Sequence, residues 1–148
     1  MSSNLPIAVI GSGSWGTALA HHLRNKGHDV VLWGRSAEML QKLSTTGENE
    51  RYFPGIKVAS GMRFATDLEL AVKDAALVVV AVPSGATRSI ATQIAPYLKP
   101  TTILVSTAKG LEDGSLKSMT QVFIESCGNA ERVVVLSGPS FAREVLEG

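Results

Sequence analysis

Three glycines, Gly11, Gly13 and Gly16, stand at G-x-G-x-x-G spacing in the stretch Ile7-Ala8-Val9-Ile10-Gly11-Ser12-Gly13-Ser14-Trp15-Gly16. A short apolar run leads into them and a helical pattern leads out, the arrangement in which a chain grips a pyrophosphate with its backbone. Each glycine has its own steric reason. Gly11 lets the chain leave a strand in a tight turn, Gly13 removes a side chain where backbone must approach phosphate, and Gly16 lets a helix pack closely on a strand. A helix starting near Ser14, with Trp15 in its first turn, points free N–H groups and the positive end of its dipole at the same place. The chemistry on offer is anion binding by backbone.

Other candidate groups follow at intervals. A dinucleotide site usually carries an acidic residue about 20 positions beyond the glycines, where it accepts from the ribose hydroxyls. This chain instead reads Trp33-Gly34-Arg35-Ser36. The planar fork of Arg35 suits a 2′-phosphate, so NADP is expected as the preferred cofactor and NAD as the second; Glu38, one turn on, is the alternative group for the ribose. In Tyr52-Phe53-Pro54-Gly55 the Pro-Gly pair marks a turn with two aromatic anchors, and Tyr52 reads either as such an anchor or as a neighbour of the cofactor. Lys109 directly follows an apolar run, where an ammonium can hold a phosphate or polarise a substrate oxygen, the alternative being a surface lysine. Backbone N–H groups near Gly138 and the Ser140 hydroxyl suit an anionic or hydroxylated substrate, although Pro139 equally suits a plain helix start.

These groups need elements to position them. Ala18, Leu19 and Leu23, with Gly16 and Ala20, form an apolar helix face; Gly27 stops that helix, and Val30-Val31-Leu32-Trp33 completes a βαβ unit. A short helix over 37–43 and a polar connection over 44–51 come next. The spacing then predicts a strand over 62–65 and a helix to Lys73 opened by a Thr66-x-x-Glu69 capping box. Leu77–Val82 is apolar without alternation, as in a central parallel strand, and Ser84 reads as the cap of the helix after it, the alternative being a place near the cofactor. A helix over 86–97, a strand over 102–106, a helix over 115–127 carrying Leu116, Met119, Val122, Phe123 and Ile124, and a strand over 133–136 follow. A short helical segment ends at Gly148. The alternation predicts an α/β, Rossmann-type doubly wound, mainly parallel sheet with helices on both faces, residues 1–148 forming one NAD(P)-binding domain. Every candidate group then falls at the carboxyl edge of the sheet.

The 148 residues carry 14 Lys plus Arg against 13 Asp plus Glu, so no global field draws in nucleic acid or an acidic membrane. The single cysteine, Cys127, excludes an internal disulfide framework, no Cys/His spacing suggests zinc or another metal, and a small apolar role on a helix is expected for it. Residues 1–6 lack the pattern of a secretory signal, and no run reaches membrane-spanning length, so a cytoplasmic protein is expected. His21, His22 and His28 lie on or just after the first helix, where solvated or packing roles are expected. No Ser/His/Asp arrangement or paired carboxylates support hydrolysis.

In this order, Gly11–Gly16, Trp33-Gly34-Arg35, Tyr52-Phe53-Pro54-Gly55, Ala81-Val82-Pro83-Ser84, Lys109-Gly110-Leu111-Glu112 and Ser137-Gly138-Pro139-Ser140-Phe141-Ala142 resemble NAD(P)-dependent glycerol-3-phosphate dehydrogenase of the bacterial type. The glycine motif is shared by many dehydrogenases, while the Lys-Gly-Leu-Glu and Ser-Gly-Pro-Ser-Phe-Ala segments are specific. The resemblance implies hydride transfer between NAD(P)H and dihydroxyacetone phosphate, giving sn-glycerol 3-phosphate for glycerophospholipid synthesis. It implies cofactor contacts from Ser14, Trp15 and Arg35 with Ala142 nearby, Lys109 at the junction of nicotinamide and substrate, and substrate contacts from Gly138 and Ser140. Trp15 and Trp33 are both expected near the cofactor. In that family a helical C-terminal domain supplies the catalytic lysine and most phosphate-binding groups. No catalytic residue is therefore expected in these residues, which should bind cofactor with little or no turnover, and the full-length enzyme allows a homodimer. The alternatives are the cofactor domain of another Rossmann dehydrogenase and a nucleotide-sensing module.

Overall fold

The computed structural model describes residues 4–128 and 130–148, so Met1–Ser3 lie outside it. Six strands form one sheet: β1 (Pro6–Ile10), β2 (Asp29–Trp33), β3 (Arg63–Ala65), β4 (Leu77–Val80), β5 (Ile103–Ser106) and β6 (Val133–Val135). Their order is β3-β2-β1-β4-β5-β6, and every pairing is parallel. β1 is the centre, with Ile10 opposite Trp33 on one side and Val80 on the other. The chain runs outward from β1 to β3 and then returns to β4, so the strand order reverses between β1 and β4. A crevice opens at the carboxyl ends of those two strands, the place where open α/β sheets bind ligands.

The apolar runs of the central strands are explained by burial on both faces. Ala8, Ile10, Val31, Val78 and Val80 pack into one core with Val72, Ile90, Ala91, Ile94 and Phe123, while Ile7, Val9, Val30, Leu32 and Val79 pack into another with Leu19, Ala20 and Leu43. Alternate residues of each strand thus serve opposite layers. One layer holds α1 (Ser14–Asn25) and α2 (Ala37–Thr46); the other holds α3 (Leu68–Val72), α4 (Ser84–Ile94) and α5 (Met119–Cys127). The last helix, α6 (Ala142–Glu147), lies against α1, where Leu146 joins Ala18 and Phe53 in a third apolar cluster. No helix among the described residues is long and apolar enough to cross a membrane.

Several boundaries differ from the sequence expectation. β4 stops at Val80, so Ala81 and Val82 belong to the exit of the strand. α3 is capped by Asp67, whose side chain accepts from the Leu70 N–H, and not by a Thr66/Glu69 box; the helix begins one residue later than that box requires. Ser84 is the first residue of α4 and does not cap it, because Pro83 already occupies the cap position. α2 extends to Thr46, shortening the polar connection. α5 begins only at Met119, after a Ser118/Gln121 capping box. Leu116, counted on its apolar face, instead sits in the preceding turn with φ 58° and is 72% exposed. A leucine at helical spacing is not helical when glycines and a cap interrupt the chain around it.

Cys127 is half-buried against the first core with its thiol 3.5 Å from the Ala91 carbonyl, and burial pushes its pKa up to about 11. At the outer edge, Val134, Val135, Leu136 and Phe141 are exposed. β6 is therefore an apolar strand with one side of its ladder unpaired.

Candidate functional site

The glycine corner sits at the strand-order reversal. Gly11 has φ 118°, a conformation that only glycine adopts readily, and its N–H donates to the Trp33 carbonyl at 3.0 Å. A Cβ on Gly11 would collide with the Ala81 carbonyl at the end of β4, and one on Gly16 would collide with the Gly11 carbonyl. Gly13 differs, since a Cβ there would meet nothing within 4 Å. Two of the glycines are thus demanded by the protein's own packing, while Gly13 faces open space.

Gly13 is the N-cap of α1, yet no side chain caps that helix, and its first turn contains no acidic residue. The initial N–H groups of a helix have no intrahelical acceptor, so the 12-residue α1 presents free donors beside Gly13, Ser14 and Trp15. These features fit a dinucleotide pyrophosphate. Arg35 follows the end of β2, is exposed, and makes no hydrogen bond or ion pair with another described residue. Ser36 beside it caps α2 by accepting from the Met39 N–H at 3.2 Å. Glu38 remains in the first turn of α2, exposed.

A second group assembles from distant segments. The Lys109 ammonium donates to the Gly138 carbonyl at 3.0 Å, and the Ser140 hydroxyl donates to the same oxygen at 3.3 Å. Ser14, Trp15, Thr107, Lys109, Ser140 and Ala142 line one cavity of about 390 Å³, with Phe141 and Arg143 at its side. Trp15 and Ser140 also line an adjoining cavity of about 390 Å³, together with Leu19, His22, Gly138 and Val145. The structure therefore brings Ser14, Trp15, Lys109, Gly138, Ser140 and Ala142 to one place beside the glycine corner.

Other expectations are met differently. Tyr52 lines neither cavity; it is exposed beneath the Arg51 guanidinium, 5.4 Å from the ring centre, while Phe53 alone is the buried anchor. Trp33 is buried in the first core and its indole N–H donates to the Thr66 carbonyl at 2.8 Å, so Trp15 is the tryptophan that lines the cavities. His22 lines a cavity although α1 leads away from the sheet edge, because the loop after β6 folds over that face of the helix. His21 accepts from the Ala59 N–H at 2.8 Å, and burial, reinforced by the neighbouring His22, lowers its pKa. His28 accepts from the Leu5 N–H, a packing role like that of His21.

Two sets of residues escaped sequence reasoning. Asn49, inside the polar stretch after α2, is only 2% exposed and reaches the glycine corner. Arg88 of α4 forks onto both oxygens of Glu112 and also bonds Glu125 at 3.0 Å, while Lys117 pairs with Glu125 and Ser115 donates to Glu112. This network ties the loop bearing Lys109 to α4 and α5. No local pattern announces it, because its partners lie 24 and 37 positions apart.

The Arg88 fork, followed by the Ser115 hydroxyl, holds the Glu112 carboxyl down to about 2. A depressed folded-state pKa contributes stability that is full above the ordinary carboxylate value and is lost as pH falls through about 2. Carboxyl carbon NMR is expected to show Glu112 still ionised at pH 3.5, with Arg88→Ala raising its midpoint toward the ordinary carboxylate range, the Ser115 hydroxyl retaining part of the shift. An unshifted Glu112 midpoint in the unsubstituted chain would refute the fork in solution.

Residues 6–148 match the family model described as the NAD-dependent glycerol-3-phosphate dehydrogenase N-terminus. The chain is 46% identical over 146 residues to the NAD(P)+ glycerol-3-phosphate dehydrogenase of Carboxydothermus hydrogenoformans, covering 98% of this chain and 44% of that protein. It is 49% identical over 142 residues to that of Moorella thermoacetica, covering 96% and 42%. Among solved structures, a glycerol-3-phosphate dehydrogenase from Coxiella burnetii superposes with a TM-score of 0.87 at 33% identity, covering 97% of this chain and 44% of that one. The chain thus spans less than half the length of the curated relatives it matches.

Proposed function

The chain belongs to the NAD-dependent glycerol-3-phosphate dehydrogenase family, and from that premise we propose that it is the cofactor-binding domain of an enzyme moving hydride reversibly between NAD(P)H and dihydroxyacetone phosphate. The product, sn-glycerol 3-phosphate, would serve glycerophospholipid synthesis. The observation that carries the reading is the meeting of Lys109, Gly138 and Ser140 beside an uncapped α1, where two cavities share Trp15 and Ser140.

In this reading the backbone at Gly11, Gly13 and Gly16 forms the turn, and the N–H groups of the first turn of α1, with Ser14 and Trp15, hold the pyrophosphate. Arg35 binds the 2′-phosphate of NADP, which makes NADP the preferred cofactor over NAD. Ala142 lines the cavity that Ser14 and Lys109 share, whereas Tyr52 lines neither cavity. When bound, the reduced nicotinamide supplies the hydride. Lys109 places a positive charge at the carbonyl oxygen or phosphate of the substrate, and Gly138 and Ser140 orient the substrate from the facing loop. Proton transfer to the new alkoxide and most of the substrate phosphate grip fall to a helical C-terminal domain with its catalytic lysine. That domain is the expected partner of the exposed apolar strand β6, and the complete enzyme accommodates a homodimer and a cytoplasmic setting.

Titration of the chain with NADPH and NADH, followed by quenching of Trp15, tests this reading. NADPH is expected to bind at least tenfold more tightly. Arg35→Ala should weaken NADPH by about 10- to 100-fold, the worth of a charge-assisted contact, and leave NADH nearly unchanged. Equal affinities would return Arg35 to the role of a solvated loop residue, and absence of binding by either would remove the cofactor reading from this chain.

A further inference from the structure

The glycine corner is held by a residue outside its motif, and we propose that Asn49 is a positioning residue of the dinucleotide site, aiming the Gly13 N–H toward the pyrophosphate through the Ser12 carbonyl. The assignment rests on the cofactor reading above. Asn49 lies 37 positions from Ser12, in a polar connection at the protein surface, yet its side chain is buried. Its Nδ2 donates to the Ser12 carbonyl at 3.2 Å and to the Thr17 hydroxyl at 2.9 Å, and that hydroxyl donates to the same carbonyl at 3.4 Å. These partners decide which way the amide faces. The Ser12 carbonyl only accepts, and the Thr17 proton is committed to it, so the nitrogen of Asn49 must be the group turned toward both.

The Ser12 carbonyl and the Gly13 N–H belong to one planar peptide unit, and no peptide bond among the described residues is cis. The two groups of a trans unit point in opposite directions. An oxygen drawn inward by Asn49 and Thr17 therefore leaves the Gly13 N–H directed outward, at the cap position of α1 and beside the open space at Gly13. Were the unit to rotate, a carbonyl dipole would face the phosphates in place of a donor. The Ser12 side chain restricts rotation as well, since it lies so close to Gly34 that a Cβ there would collide with it.

Asn49 is itself rigidly seated. Its carbonyl accepts from the Tyr52 and Phe53 N–H groups at 3.1 and 2.7 Å, and Phe53 is buried with Ala18 of α1. Its Oδ1, by contrast, is buried with no hydrogen-bond partner among the described residues. An unsatisfied buried acceptor opposes folding, so stability alone does not account for an asparagine here, whereas two donors on one rigid amide do what an apolar residue cannot.

The test compares two ligands on the chain by calorimetry: NADPH, and adenosine 2′-monophosphate, which carries the 2′-phosphate but no pyrophosphate. Asn49→Ala and Thr17→Val are each expected to weaken NADPH about tenfold while adenosine 2′-monophosphate stays within about twofold, and Thr17→Ser should regain most of the loss. Thr17→Val keeps the shape of a fully buried side chain and decides the matter if Asn49→Ala does not fold. Unchanged NADPH affinity in the folded variants would overturn the assignment while leaving the cofactor reading intact. Parallel weakening of both ligands would overturn it in favour of a purely structural role. Failure of the unsubstituted chain to bind NADPH would overturn the cofactor reading and this assignment with it.

Discussion

Gly16→Ala is expected to lower the stability of the chain by about 3 kcal/mol and to abolish NADPH binding, as read by urea denaturation and fluorescence titration. The added methyl would collide with the Gly11 carbonyl oxygen and come within 3.4 Å of the Ala81 side chain. Backbone stands on both sides of the conflict, so no flexible side chain can swing away. Relief requires α1 to move off the sheet, and that would unseat Ala18, Leu19 and Ala20, all buried along the same helix. Ordinary overpacking costs about 1–3 kcal/mol, and a backbone-to-backbone collision belongs at the upper end. The matching substitution Gly13→Ala separates packing from binding. Its φ of −72° suits alanine and its surroundings are open, so the unfolding midpoint should hardly move while NADPH affinity falls. A Gly16→Ala chain with an unaltered midpoint would show that the corner is far more pliable than its geometry.

Lys109→Met in the full-length enzyme is expected to reduce kcat/KM for dihydroxyacetone phosphate by about 10²- to 10³-fold, the usual cost of deleting one donor to a developing oxyanion. The methionine keeps the apolar stem and removes only the charge. Lys109 bonds one carbonyl, that of Gly138, and lines the cavity shared with Ser14, Trp15 and Ser140, so its charge has no carboxylate partner among the described residues. Lys109→Arg is expected to restore little, because a planar guanidinium cannot replace a compact ammonium at one oxygen. NADPH affinity, which the proposed function assigns mainly to the glycine corner and Arg35, is expected to change less than kcat/KM. Activity retained above a tenth of the original would make Lys109 a surface cation.

Much of this was legible along the chain because it depends on neighbours in sequence. The apolar runs at 7–10, 30–33 and 77–80 are strands since they are buried on both faces, and that requirement shows directly as uninterrupted Val, Ile, Ala, Leu and Trp. Gly11 and Gly16 were legible because each meets a backbone demand that only glycine satisfies. Boundaries were less so. Asp67 outcompetes Thr66 as a cap and Leu116 turns out of its expected helix, because either local solution satisfies the pattern and packing selects one.

By itself, then, the sequence determined the order of strands and helices, the glycine-rich turn after β1, and which segments reach the carboxyl edge. Tertiary structure alone decided who meets whom there. Lys109 and Gly138 are 29 positions apart, Arg88 and Glu112 24, and Asn49 and Ser12 37. It also sent Trp33 into the core, left Tyr52 outside the cavities, and drew His22 into one. The physical reason is that periodicity and turn chemistry act within a few residues, whereas a hydrogen bond or a cavity wall depends on distances that exist only after the layers have packed.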